Sequence, residues 1–232
     1  MRRRDLLALL GGATVLRPLL TRAQQPKVPT IGVLVIAIPG SEKFWRIFQQ
    51  AMRELGYVEG QTVRYEFRSG QAPQLPELAA ELVRLKADAI VGWFTPGATA
   101  AKQATREIPI VMAGAGDPVG TGLIESLARP GGNITGMGGL APELAGKCIE
   151  LVREMLPSAR RVAVLVNAPD PFSKPFLEKI RLGGEATRTT IDPIMLHGTE
   201  ELGAAFAAWR KSGRMRASSN RAWERSVPPS WR

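Results

Sequence analysis

The sequence predicts an α/β protein with a doubly wound parallel sheet, and three patterns carry that prediction. Short apolar runs of strand length alternate with amphipathic stretches of helix length over the first 140 residues. Several of the runs are apolar almost throughout, as strands buried on both faces must be. Three of them end in turn residues that lead at once into a helix start: Pro39-Gly40-Ser41, Phe94-Thr95-Pro96-Gly97 and Gly116-Asp117-Pro118.

Each element follows from its residues. Residues 1–23 combine a basic start, an apolar run from Leu6 to Leu16, and Thr21-Arg22-Ala23 before two glutamines. This is the pattern of an export signal. The Arg3-Arg4 pair ahead of the apolar run fits a twin-arginine signal, and the small residues fit general secretory cleavage. Thr30 to Ile38 is the first central strand. A helix follows to Leu55 with Ser41 as its N-cap; Phe44, Phe48, Met52 and Leu55 recur at helical spacing, and Gly56 ends it. Gln61 to Phe67 alternates, with Val63, Tyr65 and Phe67 on one side. Pro73 to Lys86 is an amphipathic helix, Asp88 to Phe94 a strand, and Thr95 starts a helix to about Arg106.

The next stretch, Ile110 to Leu140, organises the chain. Ile108 to Ala113 is a buried strand that breaks at Gly114-Ala115-Gly116. Asp117-Pro118 then reads as a capped helix start, with a helix from Val119 to Leu127 and a strand from Asn133 to Met137. Pro142 to Leu156 is a helix with Leu144, Cys148, Leu151, Val152 and Met155 on its apolar side, which makes Cys148 a small core residue. Arg161 to Asn167, Ser173 to Ala186, Ile191 to Leu196 and Glu200 to Arg210 then alternate as strand, helix, strand and helix. The domains expected are an export signal at 1–23, a first lobe at 24–139, a partial second lobe at 140–209 and a basic tail at 210–232.

The formal charge of +10 invites a nucleic-acid reading, but its distribution removes the ground for one. The excess lies at the two ends, and residues 24–209 hold nineteen basic against nineteen acidic residues. Affinity for nucleic acid comes from neutralising phosphates, and a neutral globular part offers no such footprint. One Cys and one His leave no metal-ligand pattern. There is no P-loop, no nucleophile elbow and no correctly spaced dinucleotide fingerprint, so the chain is expected to be no enzyme and to use no cofactor.

The run GDPVGTGLIESLARPGGNITG, Gly116 to Gly136, closely resembles a signature of bacterial ABC-transporter substrate-binding proteins of the tryptophan/tyrosine-binding type. LGYVEGQTV from Leu55, LPELAAELVRLKADAIV from Leu75, AAKQATREIPIV from Ala100 and LAPELAGK from Leu140 extend the resemblance over most of Thr30 to Asn167. It implies a type I periplasmic-binding-protein-like fold with an incomplete second lobe, because the family runs on well beyond this chain. The expectation is a truncated protein whose final residues, rich in Arg, Ser and Trp, are read out of frame; the other reading is a disordered basic tail. A second lobe this small buries too little to stand alone.

Ligands of open α/β sheets sit beyond the carboxyl ends of the strands. There, Thr95, Gly97 and Ala98 suit an anion at a helix N-terminus, Ser41 lies at a second such start, and Asp117 suits an amino group. Ser41, Thr95 and Asp117 serve equally well as N-caps with no ligand. Trp93 suits stacking on an aromatic ligand, or else belongs to the core or rim. The resemblance implies capture of an amino acid or small carboxylate between lobes that close about a hinge near Gly136 to Pro142, followed by docking on an inner-membrane ABC permease. It places the protein in the periplasm, touching the membrane only through the permease or an uncleaved signal. The alternatives are an inactive truncated product and the sensor domain of a regulator. The latter needs a helix-turn-helix where the export-like segment stands.

Overall fold

Five strands pair into one parallel sheet in the computed structural model, which describes residues 27–38, 40–139 and 141–211. They are β1 (Thr30–Ile36), β2 (Arg64–Gly70), β3 (Ala89–Trp93), β4 (Ile110–Gly116) and β5 (Ile134–Gly139), in the order β2-β1-β3-β4-β5. All neighbours are parallel. The order runs outward from β1 in both directions, so the winding reverses between β1 and β3. That is the switch point at which such sheets open a crevice. The expected export signal, Pro39, Leu140 within the expected hinge, and the tail from residue 212 lie outside the described residues.

Alternate residues of β1 supply the two faces. Leu34 and Ile36 point to the side covered by α2 (Leu75–Arg84) and α3 (Phe94–Ala104), with Leu75, Leu82, Ile90, Ile110 and Ile134. Val33 and Val35 point to the side covered by α1 (Ser41–Glu54), with Val63, Tyr65, Val91 and Trp93. The two faces pack by different means. Trp45, Phe48 and Phe44 fill the space between α1 and the sheet with edge and tilted ring contacts to Tyr65, Phe67 and Trp93 at 4.9–6.3 Å. On the other face α3 touches the sheet almost directly. A Cβ on Gly92 would lie 2.7 Å from Ala98 Cα, and one on Gly97 would lie 2.9 Å from the Leu34 carbonyl oxygen.

After β5, α4 (Ala141–Met155), β6 (Arg161–Asn167), α5 (Ser173–Ala186), β7 (Thr190–Leu196) and α6 (Leu202–Lys211) build a second unit around the parallel pair β6–β7. Its core is small: Ala145, Ile149 and Ile180 are buried, with Val162, Val164, Phe176 and Ile191 packed around them. Arg161 grips Asp192 with two hydrogen bonds of 2.8 and 3.0 Å across the strands.

Several expectations need correction. The helix expected from Val119 to Leu127 does not form; residues 118–122 make turns, and bends follow. Four glycines from Gly120 to Gly132 disfavour a helix there. β4 does not break at Gly114 but runs to Gly116, with a bulge between Ala113 and Ala115 absorbing the glycine. The second strand begins at Arg64 rather than Gln61, because Val58 to Val63 close a turn bonded through Thr62. Ser41 is the first helical residue, and left-handed Gly40 is the N-cap. Cys148 is exposed, not core. α4 turns its small side inward: Gly146 meets Gly183 of α5, whose Cβ would lie 2.6 Å from the Gly146 carbonyl oxygen. Ala145 and Ile149 are therefore buried, whereas Leu144, Leu151 and Met155 are exposed.

Replacing Gly92 by Ala drives a methyl group into the backbone of α3. We expect a loss of about 2–3 kcal/mol in denaturant unfolding, since backbone atoms cannot step aside as a side-chain end can.

Candidate ligand-binding site

The carboxyl ends of β1, β3 and β4 stand side by side, and two residues there hold an unusual backbone. Among the described residues, four that are not glycine have positive φ: Lys86, Phe94, Asp117 and Arg188. Lys86 and Arg188 follow directly on the C-caps of α2 and α5, where left-handed residues ordinarily stop helices. Phe94 at 55° and Asp117 at 36° are not helix stops. They sit where β3 turns into α3 and where β4 ends. A bulky residue in this region costs about 1–3 kcal/mol, and such strain concentrates at binding sites.

Thr95 locks the two strand ends together. Its Oγ1 accepts a 2.9 Å hydrogen bond from the Gly116 N–H, and the residue is 2% exposed. Its oxygen thus joins the start of α3 to the end of β4. α3 begins at Phe94, one residue earlier than the sequence suggested. The amides of Gly97 and Ala98 therefore fall within the helical ladder rather than at its open end. Gly97 and Ala98 are buried and act as packing surface against β1 and β3.

Asp117 caps the turn that replaces the expected helix. Its Oδ1 accepts from the Gly120 N–H at 2.9 Å, and its carbonyl oxygen accepts from the Thr121 amide and hydroxyl. Oδ2 takes no hydrogen bond among the described residues. Ser41 is buried at the start of α1, with its amide donating to the Ile38 carbonyl at 3.1 Å. Trp93 is 6% exposed, edge-on to Phe44 and Phe48, and its Nε1 has no hydrogen-bond partner among the described residues. It belongs to the aromatic layer under α1.

The second unit reaches the same edge with the loop from β6 to α5. Asp170 Oδ1 accepts from the Phe172 N–H at 2.9 Å, and Ser173 Oγ donates to the Asn167 carbonyl. Burial pushes the Asp170 carboxyl above the ordinary range, against the downward pull of the Phe172 hydrogen bond. The Phe172 ring lies on Gly116: a Cβ there would come within 2.5 Å of the ring. Sequence reasoning passed over Phe94, Asp170 and Phe172. The rule that located Asp117, a turn directly after a parallel strand, also applies after Asn167.

Known proteins share the family and the fold. The family model described as ABC transporter substrate binding protein matches residues 30–215. The chain belongs to that family. The substrate-binding protein is 33% identical over 156 residues to the tyrosine-binding protein of Clostridioides difficile strain R20291, covering 66% of this chain and 45% of that one. A conserved domain protein of Vibrio cholerae matches with a TM-score of 0.72 and 25% identity, over 80% of this chain and 63% of that one. The ABC domain from Streptococcus pneumonia in complex with L-Trp matches with a TM-score of 0.70 and 27% identity, over 79% and 62%. The chain thus spans less than two thirds of these relatives, and its fold is of the type I periplasmic-binding-protein kind.

Two substitutions probe the edge without a ligand. Thr95→Val keeps the shape and leaves the Gly116 N–H unpaired, which should cost roughly 1–3 kcal/mol in denaturant unfolding. Asp170→Asn keeps the acceptor and removes the titration. A carboxyl raised in the folded state binds its proton more tightly there, so its contribution to stability falls as pH rises from about 4 through the folded pKa. The variant should be more stable than the parent at pH 7, with the difference vanishing near pH 3.5 in pH-dependent unfolding.

Proposed function

We propose that this substrate-binding protein captures a small zwitterion or anion, an amino acid or small carboxylate, where the five-stranded and two-stranded units meet. The carrying observation is the pairing at one edge of the α3 N-terminus with Asp117. The helix end offers the positive end of a dipole to a carboxylate. Asp117 Oδ2, free of internal hydrogen bonds, offers a partner to an amino group. Thr95, Ser41 and Asp117 would face the ligand. Gly97 and Ala98 would let α3 approach, and Trp93 would back the site from the aromatic layer. Two relatives, one a tyrosine-binding protein and one complexed with L-Trp, support a ligand of this class.

On this reading residues 24–139 and 140–209 act as two lobes, residues 1–23 direct export to the periplasm, and the loaded form docks on an inner-membrane ABC permease. The protein catalyses nothing and needs no cofactor. Among the described residues no helix is long and apolar enough to cross a membrane, so contact with the bilayer would come through the permease or the uncleaved signal.

Thermal unfolding against a panel of amino acids and small carboxylates tests this. A true ligand at 100 times its Kd should stabilise the fold by about 2.7 kcal/mol, and Asp117→Asn should abolish the shift for amino acids. A transition that no compound moves would count against capture.

A further inference from the structure

α4 leaves its larger apolar stripe in the open. Leu144, Cys148, Leu151 and Met155 follow one another at intervals of four, three and four residues, the spacing of a seam between paired helices. Leu144 is 66% exposed, Leu151 47% and Met155 79%, and Cys148 is exposed with them. The helix cannot roll to hide them. It meets α5 through backbone, Gly146 against Gly183, and its Ala145 and Ile149 are already buried in the core beside Val162 and Val164 of β6. At about 100° per residue the stripe stands to one side of that core face, and Lys147 and Glu154 border it on the side turned away. Both charged residues are exposed. Residues 212–232 hold no apolar run that matches the stripe: Met215 and Val227 are their only aliphatic residues larger than alanine.

We infer that a second copy of the chain covers this stripe, with the two α4 helices packed antiparallel about a two-fold axis. A two-fold contact needs a surface that complements itself, and antiparallel α4 does so in shape and in charge. Leu144 lies across from Met155 of the partner subunit, and Cys148 across from Leu151 of the partner subunit, so every layer of the seam is apolar. The same register brings Lys147 to Glu154 of the partner subunit, and the axis repeats that pair. Lys147 also holds Glu150 of its own helix, so one ammonium serves both carboxylates. A parallel pair would set Lys147 beside Val152 of the partner subunit and leave both charges unmatched. The seam is short, so the dimer forms and dissociates with concentration. Its two-fold contact closes on itself and stops at two copies.

Sedimentation velocity of the full chain, from about 1 μM to about 200 μM, tests this, and a monomer–dimer equilibrium is expected. Leu151→Lys and Met155→Lys should each raise the dimer Kd about tenfold or more, because a charge would enter the seam. Both side chains are exposed in the single chain, so the melting transition of the dilute protein should persist. Lys147→Glu and Glu154→Lys set like charges across the axis and should each weaken the dimer about threefold. The double variant K147E/E154K should restore it, a rescue that only the antiparallel register gives. Maleimide labelling of Cys148 should be fast in dilute solution and slow at concentrations that favour the dimer. A chain that stays monomeric throughout would overturn the inference, as would open-ended aggregates without a dimer. A dimer indifferent to Leu151→Lys would place the contact elsewhere and overturn it too. Failure of the charge exchange to restore pairing would overturn the antiparallel arrangement.

Discussion

The structure depends on how closely α3 lies against the sheet. With Gly92 beneath Ala98 and Gly97 beneath the Leu34 carbonyl, helix and strands meet through backbone rather than side chains. That contact fixes the height and direction of the helix N-terminus over the switch point. It also forces the chain to climb from β3 into α3 with no intervening loop, which is why Phe94 takes a left-handed backbone. The opposite face shows the contrast. There α1 rides on Trp45 and Phe48, and its N-terminus is set by rings rather than by backbone contact.

The edge behaves as a set of linked constraints. Thr95 spends its oxygen on the Gly116 amide, so the start of α3 and the end of β4 move as one. Asp117 follows directly and spends one oxygen on its own turn. Polar groups that the sequence offers as ligand contacts thus divide their capacity between holding the edge together and facing outward. The small second unit adds an acid in a half-buried turn and a ring lying on Gly116.

Much of this was legible in the sequence. β6 and α5 occupy the residues that periodicity indicates, and α1 and β1 end within two residues of expectation. β1 and α1 have apolar patterns closed by Pro39 and Gly56, and α5 forms at its expected residues despite Pro175, Gly183 and Gly184 within it. The failures are physical. Asp117-Pro118 has the chemistry of a helix start, yet the glycines behind it leave only a turn. Cys148 and its neighbours lie on the larger apolar stripe of α4, but Gly146 opposite Gly183 makes the smaller stripe the better fit. Thr95 and Asp117 could be located from strand ends alone. Phe94 and Phe172 could not be singled out, because a backbone angle and a contact between distant segments leave no local trace.

The outward turn of α4 gives the molecule one chemical handle. Cys148 is the one thiol in the 232 residues, and it stands exposed on the first helix after β5. A maleimide dye or spin label will attach there at one per chain, on the helix that joins the two units. Any disulfide this chain forms with its own kind must link two molecules.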